Sequence, residues 1–143
     1  MRPSDIIATA RTIYGEARGL SWVGKVGVAW AIRNRVETDL KGDGKPDWWG
    51  EGYEAVCMMP WQFSCWLPND PNRFACLNAG TGDAAFRECL AVAAAVIGGI
   101  EPDPTGGATH YYNPKAAPEP KWAKGRDPSA ILAPHLFFKD VER

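Results

Sequence analysis

Glu16 is the residue of this sequence best placed for acid–base chemistry. It follows Tyr14 and Gly15 near the end of a predicted helix, where the helix dipole does not favour a negative charge. A partly desolvated carboxyl group at such a position has a raised pKa, which a general acid needs near neutral pH. The plainer alternative is a solvated glutamate paired with Arg11 or Arg18, and position alone favours that alternative.

Two histidines and four cysteines are the other candidates for catalysis or metal binding. A zinc amidase or peptidase would need His110 and His135 together with a cysteine or carboxylate, and no His-Glu-x-x-His helix occurs. A cysteine peptidase would pair Cys65 or Cys57 with His110, and no motif supports it. We therefore expect no metal or other cofactor.

The cysteines could instead form disulfides, and their even number is compatible with an oxidising compartment. They are Cys57, Cys65, Cys76 and Cys89, without any Cys-x-x-Cys spacing. Four cysteines allow three pairings, so the sequence leaves both connectivity and redox state open.

Composition describes an ordinary globular chain and excludes several functional classes. With 143 residues and 45% hydrophobic side chains, the chain suits one domain, residues 1–143, with a real core. The formal charge of −1 gives no general attraction to nucleic acid or anionic lipid, so Arg33 and Arg35 are expected to be surface or ion-pairing groups. No apolar run approaches the roughly 20 residues that span a bilayer. We expect no nucleic-acid partner and no stable membrane insertion.

Hydrophobic periodicity predicts three main helices that would position Glu16. They cover about residues 4–18, 21–39 and 83–98. Ser4, Ser21 and Asp83 are the predicted N-caps. Gly24 and Gly27 on the second helix are expected to allow close approach of the first.

A long region rich in Gly, Pro, Asp and Asn separates the second and third helices, at residues 41–78. Only residues 53–58 and 62–66 have helical character, and a loop of this length is usually functional. Four of the seven tryptophans fall here, and stacking on sugar rings or core packing explains them equally well: Trp48, Trp49, Trp61 and Trp66.

Two short strands, at residues 108–112 and 135–138, are predicted to pair antiparallel across a Pro-rich segment. The predicted fold class is therefore α+β and mainly α, with a small antiparallel β element.

Four segments, in order along the chain, resemble the SleB-type cell wall hydrolase family, which includes spore cortex-lytic enzymes and phage-encoded endolysins. The segments are residues 10–19 (ARTIYGEARG), 24–36 (GKVGVAWAIRNRV), 61–64 (WQFS) and 103–114 (DPTGGATHYYNP). The chain departs from the family pattern in an insertion-like segment at residues 39–52, in His110 and in its cysteines. None of these departures involves Glu16.

The resemblance implies a lysozyme-like catalytic domain acting on the glycan strands of peptidoglycan, with Glu16 as the catalytic acid. It places Gln62 and Ser64 on the cleft wall, and Tyr112–Asn113 looks like a Tyr-Asn pair that faces the glutamate. Since neighbouring strand residues face opposite ways, only one tyrosine should reach Glu16. We predict that this is Tyr112 and that Tyr111 is a core ring.

The resemblance also indicates the reaction. A two-carboxylate glycosidase needs a partner about 5–9.5 Å from its acid. None of the carboxylates of the long central region stands out as that partner: Asp47, Glu51, Glu54 and Asp70. We therefore expect the single-glutamate route of a lytic transglycosylase. The alternatives are a muramidase that uses water, a zinc amidase or peptidase, and a non-catalytic glycan-binding module.

The expected partner is peptidoglycan, and the expected oligomeric state is a monomer. The first residues have no long apolar stretch typical of a secretory signal. We expect synthesis in the cytoplasm and action on the wall after phage-type release.

Overall fold

The computed structural model describes residues 2–38, 52–58 and 63–141, with the backbone alone described at Ser64. These residues form five α-helices and a three-stranded sheet, which confirms the predicted mainly helical α+β class. The helices are α1 Pro3–Ala17, α2 Trp22–Glu37, α3 Gly52–Met58, α4 Asn72–Asn78 and α5 Ala84–Ile97. The strands are β1 His110–Tyr112, β2 Ala130–Leu132 and β3 His135–Phe138, and short 3-10 helices cover Ser64–Trp66 and Lys121–Ala123.

Side-chain caps fix the starts of two of the long helices. The Ser21 hydroxyl accepts a hydrogen bond from the Gly24 amide at 3.2 Å, and the Asp83 carboxylate accepts one from the Ala85 amide at 2.8 Å. Both predicted caps are confirmed. The predicted Ser4 cap is wrong, because α1 begins one residue earlier at Pro3. Proline suits the first helical position, since its missing N–H would have no helical partner there.

Helix α1 lies at the centre of the helical layer and contacts the four other α-helices. Ile13 on α1 is fully buried, as are Ile32 on α2, Val56 on α3 and Val92 on α5. Among the described helices, none is long and apolar enough to cross a membrane. The apolar faces of α2, α3 and α5 thus hold the helix that carries Glu16.

The sheet has the order β1-β3-β2, with both pairs antiparallel. The predicted pairing of β1 with β3 is confirmed, with Tyr111 opposite Phe137. Helix α2 packs on this sheet through Gly27: a Cβ atom there would lie 2.8 Å from side-chain atoms of both Leu132 and Phe137. The expectation that Gly27 admits α1 is therefore wrong, because the sheet occupies that side of the helix.

The sequence did not predict α4 or β2. Helix α4 has seven residues, of which only Cys76 is buried, while its Phe74 is 76% exposed. Strand β2 has three residues between Pro128 and Pro134. Segments this short bury too few side chains to produce a readable period.

Candidate active site

Glu16 lies in the last turn of α1, where its partly buried carboxylate meets strand β1. The Tyr111 hydroxyl donates a hydrogen bond to Glu16 Oε1 across 3.4 Å. The two residues are 95 positions apart in the chain, so only the folded domain brings them together.

Tyr111, rather than Tyr112, reaches Glu16, and our prediction was wrong on this point. The Tyr112 ring faces the other side of the sheet, where it stacks on Phe138 with ring centroids 6.0 Å apart and packs edge-on against Trp122. The alternation of side chains along β1 behaves as expected. The prediction chose the wrong face of β1, because the face that carries Tyr111 is the one that packs against the helical layer.

The structure describes only some of the other predicted substrate-binding residues. Asn113 follows β1 directly, and its side-chain oxygen accepts a hydrogen bond from the Lys115 amide at 2.9 Å, which closes a turn. Ser64 begins a 3-10 helix, and Gln62 lies outside the described residues. The geometry thus joins Glu16 to Tyr111 and leaves the roles of Gln62, Ser64, Tyr112 and Asn113 as predictions.

Arg35 is a site residue that sequence reasoning missed. We expected a surface or ion-pairing group; the surface alternative is wrong, because only 5% of the residue is exposed. Its Nε donates to the Thr109 carbonyl at 2.6 Å, and its guanidinium lies 4.8 Å from the centre of the Phe63 ring. It therefore connects the second, third and fourth of the family-like segments. Its spacing of three and four residues from the buried Ile32 and Ala31 was the available signal.

The charge of Arg35 acts on the pair formed by Glu16 and Tyr111. Burial lowers the pKa of Arg35 to about 10, while Tyr111, Cys57 and Glu16 oppose that shift. The guanidinium thus stays protonated at neutral pH. Burial, with the Glu16 charge as a second cause, raises the pKa of Tyr111 well above its ordinary value. The phenol therefore keeps its proton and acts as the donor to Glu16.

A network of hydrogen bonds fixes the loop that leads into β1. The Asp103 carboxylate accepts hydrogen bonds from the amides of Thr105 and Gly107 at 2.7 and 3.0 Å. The Asn34 side chain on α2 donates to Asp103 at 3.0 Å and to the Ala108 carbonyl at 2.8 Å. This loop is therefore fastened to α2 immediately before Arg35, which fixes the start of the strand that carries Tyr111.

The two histidines lie on opposite faces of the sheet. His110 packs against Trp122, with Thr109 Oγ1 2.8 Å from its Nδ1, whereas His135 packs edge-on against Tyr111. They cannot ligate one ion together, although their strands are paired. Within the described ranges, no group of three His, Cys, Asp or Glu side chains has a metal-binding arrangement.

The remaining candidates from the central region divide between described and undescribed residues. Trp66 packs against the helical core and donates to Thr12 Oγ1 at 3.0 Å, so the core-packing interpretation applies to it. Glu54 is exposed on α3, and Asp70 Oδ1 accepts from the Asn72 amide at 2.8 Å at the start of α4. The other members of the two predicted sets lie outside the described residues: Asp47, Glu51, Trp48, Trp49 and Trp61.

One family model and several curated proteins match most of this chain. A family model described as Cell Wall Hydrolase matches residues 19–138, starting three positions after Glu16. The spore cortex-lytic enzyme of Halalkalibacterium halodurans is 30% identical, and the match covers 94% of this chain and 34% of that protein. That of Oceanobacillus iheyensis is 31% identical, and the match covers 95% of this chain and 42% of that protein. The chain thus spans less than half the length of these curated relatives.

Solved structures agree with the sequence relatives. The catalytic domain of the Bacillus cereus SleB protein matches with a TM-score of 0.67 and 27% identity, over 96% of this chain and 91% of that domain. The catalytic domain of the germination-specific lytic transglycosylase SleB from Bacillus anthracis matches with a TM-score of 0.68 and 28% identity, over 97% of each. The similarity therefore extends over nearly the whole of both catalytic domains.

Proposed function

Since the chain belongs to the cell wall hydrolase family, we propose that it cleaves the glycan strands of peptidoglycan, with Glu16 as acid and then base. The contact between Tyr111 and Glu16 is the observation that carries this proposal. It places a carboxyl group at a helix end beside a phenol that keeps its proton, in a fold similar to a lytic transglycosylase domain.

The proposed reaction begins at the bond between N-acetylmuramic acid and N-acetylglucosamine. Protonated Glu16 donates its proton to the glycosidic oxygen as the bond to the muramoyl C1 breaks and positive charge develops on that sugar. The Glu16 carboxylate then takes the proton of the muramoyl 6-hydroxyl, whose oxygen bonds to C1. The product is a 1,6-anhydro sugar, and Glu16 regains its starting proton.

Each neighbouring side chain has a distinct part in this scheme. Tyr111 orients the carboxyl group through its hydroxyl. Arg35 holds β1 through the Thr109 carbonyl and supplies a fixed positive charge behind the glutamate. Gln62, Ser64, Tyr112 and Asn113 are proposed to contact substrate. Residues 1–143 act as one catalytic domain, and we propose that it works as a monomer.

Clearing of a peptidoglycan suspension tests the proposed activity. The parent protein should lower turbidity, whereas Glu16→Gln should lower the rate about 100- to 10,000-fold, because the amide cannot donate or accept the transferred proton. Glu54→Gln is the matched control, since Glu54 is exposed on α3. Both variants should sediment with peptidoglycan as the parent does.

Two results would contradict the proposal. Sedimentation with the wall but no clearing by the parent would identify a glycan-binding module. Full clearing by Glu16→Gln would mean that another residue does the chemistry.

A further inference from the structure

Two of the four cysteines lie close together against Gly15, the residue that precedes Glu16. Cys65 lies in the 3-10 helix Ser64–Trp66 and Cys76 in α4, and both are fully buried. A Cβ atom on Gly15 would lie 2.7 Å from Cys65 Sγ and closer still to Cys76 Sγ. The two sulfurs are therefore less than twice that distance apart, and the Cys65 thiol donates a hydrogen bond to Cys76.

Among the residues that the structure describes, neither of the other two cysteines has a second thiol beside it. Cys57 lies on α3 beside Thr12, and Cys89 lies on α5 with Lys25 nearby. Burial raises the pKa of each thiol to about 11, so both stay protonated and unreactive. All four side chains are thiols in this structure.

We propose that Cys65 and Cys76 are a disulfide-forming pair, which becomes cross-linked when the domain folds in the presence of a disulfide oxidant. Four cysteines offer six possible single cross-links, and this is the one whose two sulfurs both lie against Gly15. The cross-link would join the 3-10 helix to α4 against Gly15, the residue that precedes Glu16. The absence of a side chain on Gly15 provides the space that the two sulfurs occupy.

The exchange needs one external disulfide, and oxidised glutathione serves in the test. In the folded domain the hydrogen bond from Cys65, aided by the Arg18 charge, lowers the pKa of the Cys76 thiol, whereas in the unfolded chain either thiol can attack first. Written for Cys76, its thiolate attacks glutathione disulfide and expels one glutathione thiolate. Cys65 then loses its proton and attacks the Cys76 sulfur of the mixed disulfide, expelling the second glutathione. The protein loses two protons and two electrons, and oxidised glutathione becomes two thiols.

Peptide mapping after oxidation tests the pairing. Because both sulfurs are buried, the parent is equilibrated with oxidised and reduced glutathione near its urea midpoint, and the urea is then diluted out. Remaining thiols are alkylated before digestion. Trypsin leaves Cys57 and Cys65 together on residues 42–73, with Cys76 on 74–87 and Cys89 on 88–115. The mapping is therefore repeated in Cys57→Ala, where a link between 42–73 and 74–87 identifies the pair.

Thermal unfolding provides a second readout with a matched control. The oxidised parent should melt about 5–10 °C above its reduced form, because the cross-link closes a loop in the unfolded chain. Cys57→Ala/Cys89→Ala keeps the pair and should retain the shift, and Cys65→Ala/Cys76→Ala should lose it. A link that involves Cys57 or Cys89, or four alkylated thiols after oxidation, would overturn the proposal. Both readouts are independent of wall cleavage.

Discussion

The hydroxyl of Tyr111 is the group whose removal tests how Glu16 is held. In Tyr111→Phe the ring keeps its contacts with Phe137 and His135, while the hydrogen bond to Glu16 Oε1 is lost. We expect the rate of peptidoglycan clearing to fall about 10- to 100-fold, since oriented hydrogen-bond partners of catalytic groups contribute on this scale. The melting temperature should change by only a few degrees.

Tyr112→Phe is the comparison for that substitution, because the Tyr112 hydroxyl does not reach Glu16 and its loss should lower the rate of clearing less than the loss of the Tyr111 hydroxyl does. Tyr112 packs through its ring on Phe138 and Trp122, on the other face of β1. The opposite result would be a larger loss of clearing in Tyr112→Phe than in Tyr111→Phe. It would mean that Tyr112 is the functional tyrosine, as the sequence predicted, and that the contact between Tyr111 and Glu16 has no role in the reaction.

Arg35 should matter for stability as well as for activity. Arg35→Met keeps the length and apolar contact of the side chain but leaves the buried Thr109 carbonyl without its 2.6 Å donor. The free energy of unfolding should fall by about 1–3 kcal/mol, measured by urea denaturation with an unchanged m value. Arg73→Met, on the exposed side of α4, should change it by less than about 0.5 kcal/mol. Equal effects of the two substitutions would show that Arg35 does not hold the strand.

At this scale the sequence predicted Glu16 as the acid, which stays a prediction, and predicted the wrong tyrosine as its neighbour. Glu16 was chosen because a family-like segment surrounds it. The choice between Tyr111 and Tyr112 depends on which face of β1 meets the helices, and a strand of three residues carries no signal for that choice. Arg35 was missed because charged residues are rarely buried, so its residue type predicted exposure. Its helical spacing from buried residues predicted burial instead.

Among the elements, the packing of α2 on the sheet depends on Gly27. In Gly27→Ala the new Cβ would lie 2.8 Å from Phe137 Cζ and from Leu132 Cδ1, so the sheet would have to move away from the helix. We expect a loss of about 1–3 kcal/mol in the free energy of unfolding, as for other overpacked cores. Gly80→Ala is the control, because among the described residues no atom beyond its two chain neighbours lies within 4 Å of its added Cβ. A neutral Gly27→Ala would mean that the helix and the sheet pack more loosely than the structure indicates.

Among the helices, the three long ones were predicted with nearly their observed bounds because they have periodic patterns, and two of them have definite caps. Helices α2 and α5 start after Ser21 and Asp83 because each cap satisfies an amide that the helix cannot satisfy itself. Helix α4 and strand β2 were missed because their few residues bury little and depend on tertiary contacts instead.

For the molecule as a whole, the loss of stability at acid pH should depend on His110. Burial, followed by the charges of Arg35 and Arg126, lowers its pKa from 6.5 to about 4. Above pH 6.5 the ring is neutral in both the native and the unfolded state. Below it the unfolded chain binds a proton that the native ring resists, so stability should fall as the pH drops towards 4, by at most about 3 kcal/mol.

Melting temperatures between pH 7 and 5 measure this effect. His110→Gln should flatten the curve in part, since burial also lowers the pKa of His135 and leaves a contribution of the same sign. An unchanged slope in the variant would mean that the native state protonates His110 as readily as the unfolded chain does.

The central claim is that Glu16 alone performs both proton transfers, and the soluble products of purified peptidoglycan test it most directly. Mass spectrometry of fragments released by the parent should find 1,6-anhydro-muropeptides, and Glu16→Gln should release none above background. Reducing-end sugars from the parent would contradict the single-glutamate route, because water would then be the nucleophile. Cleaved peptide stems on intact glycan would contradict glycosidic cleavage itself.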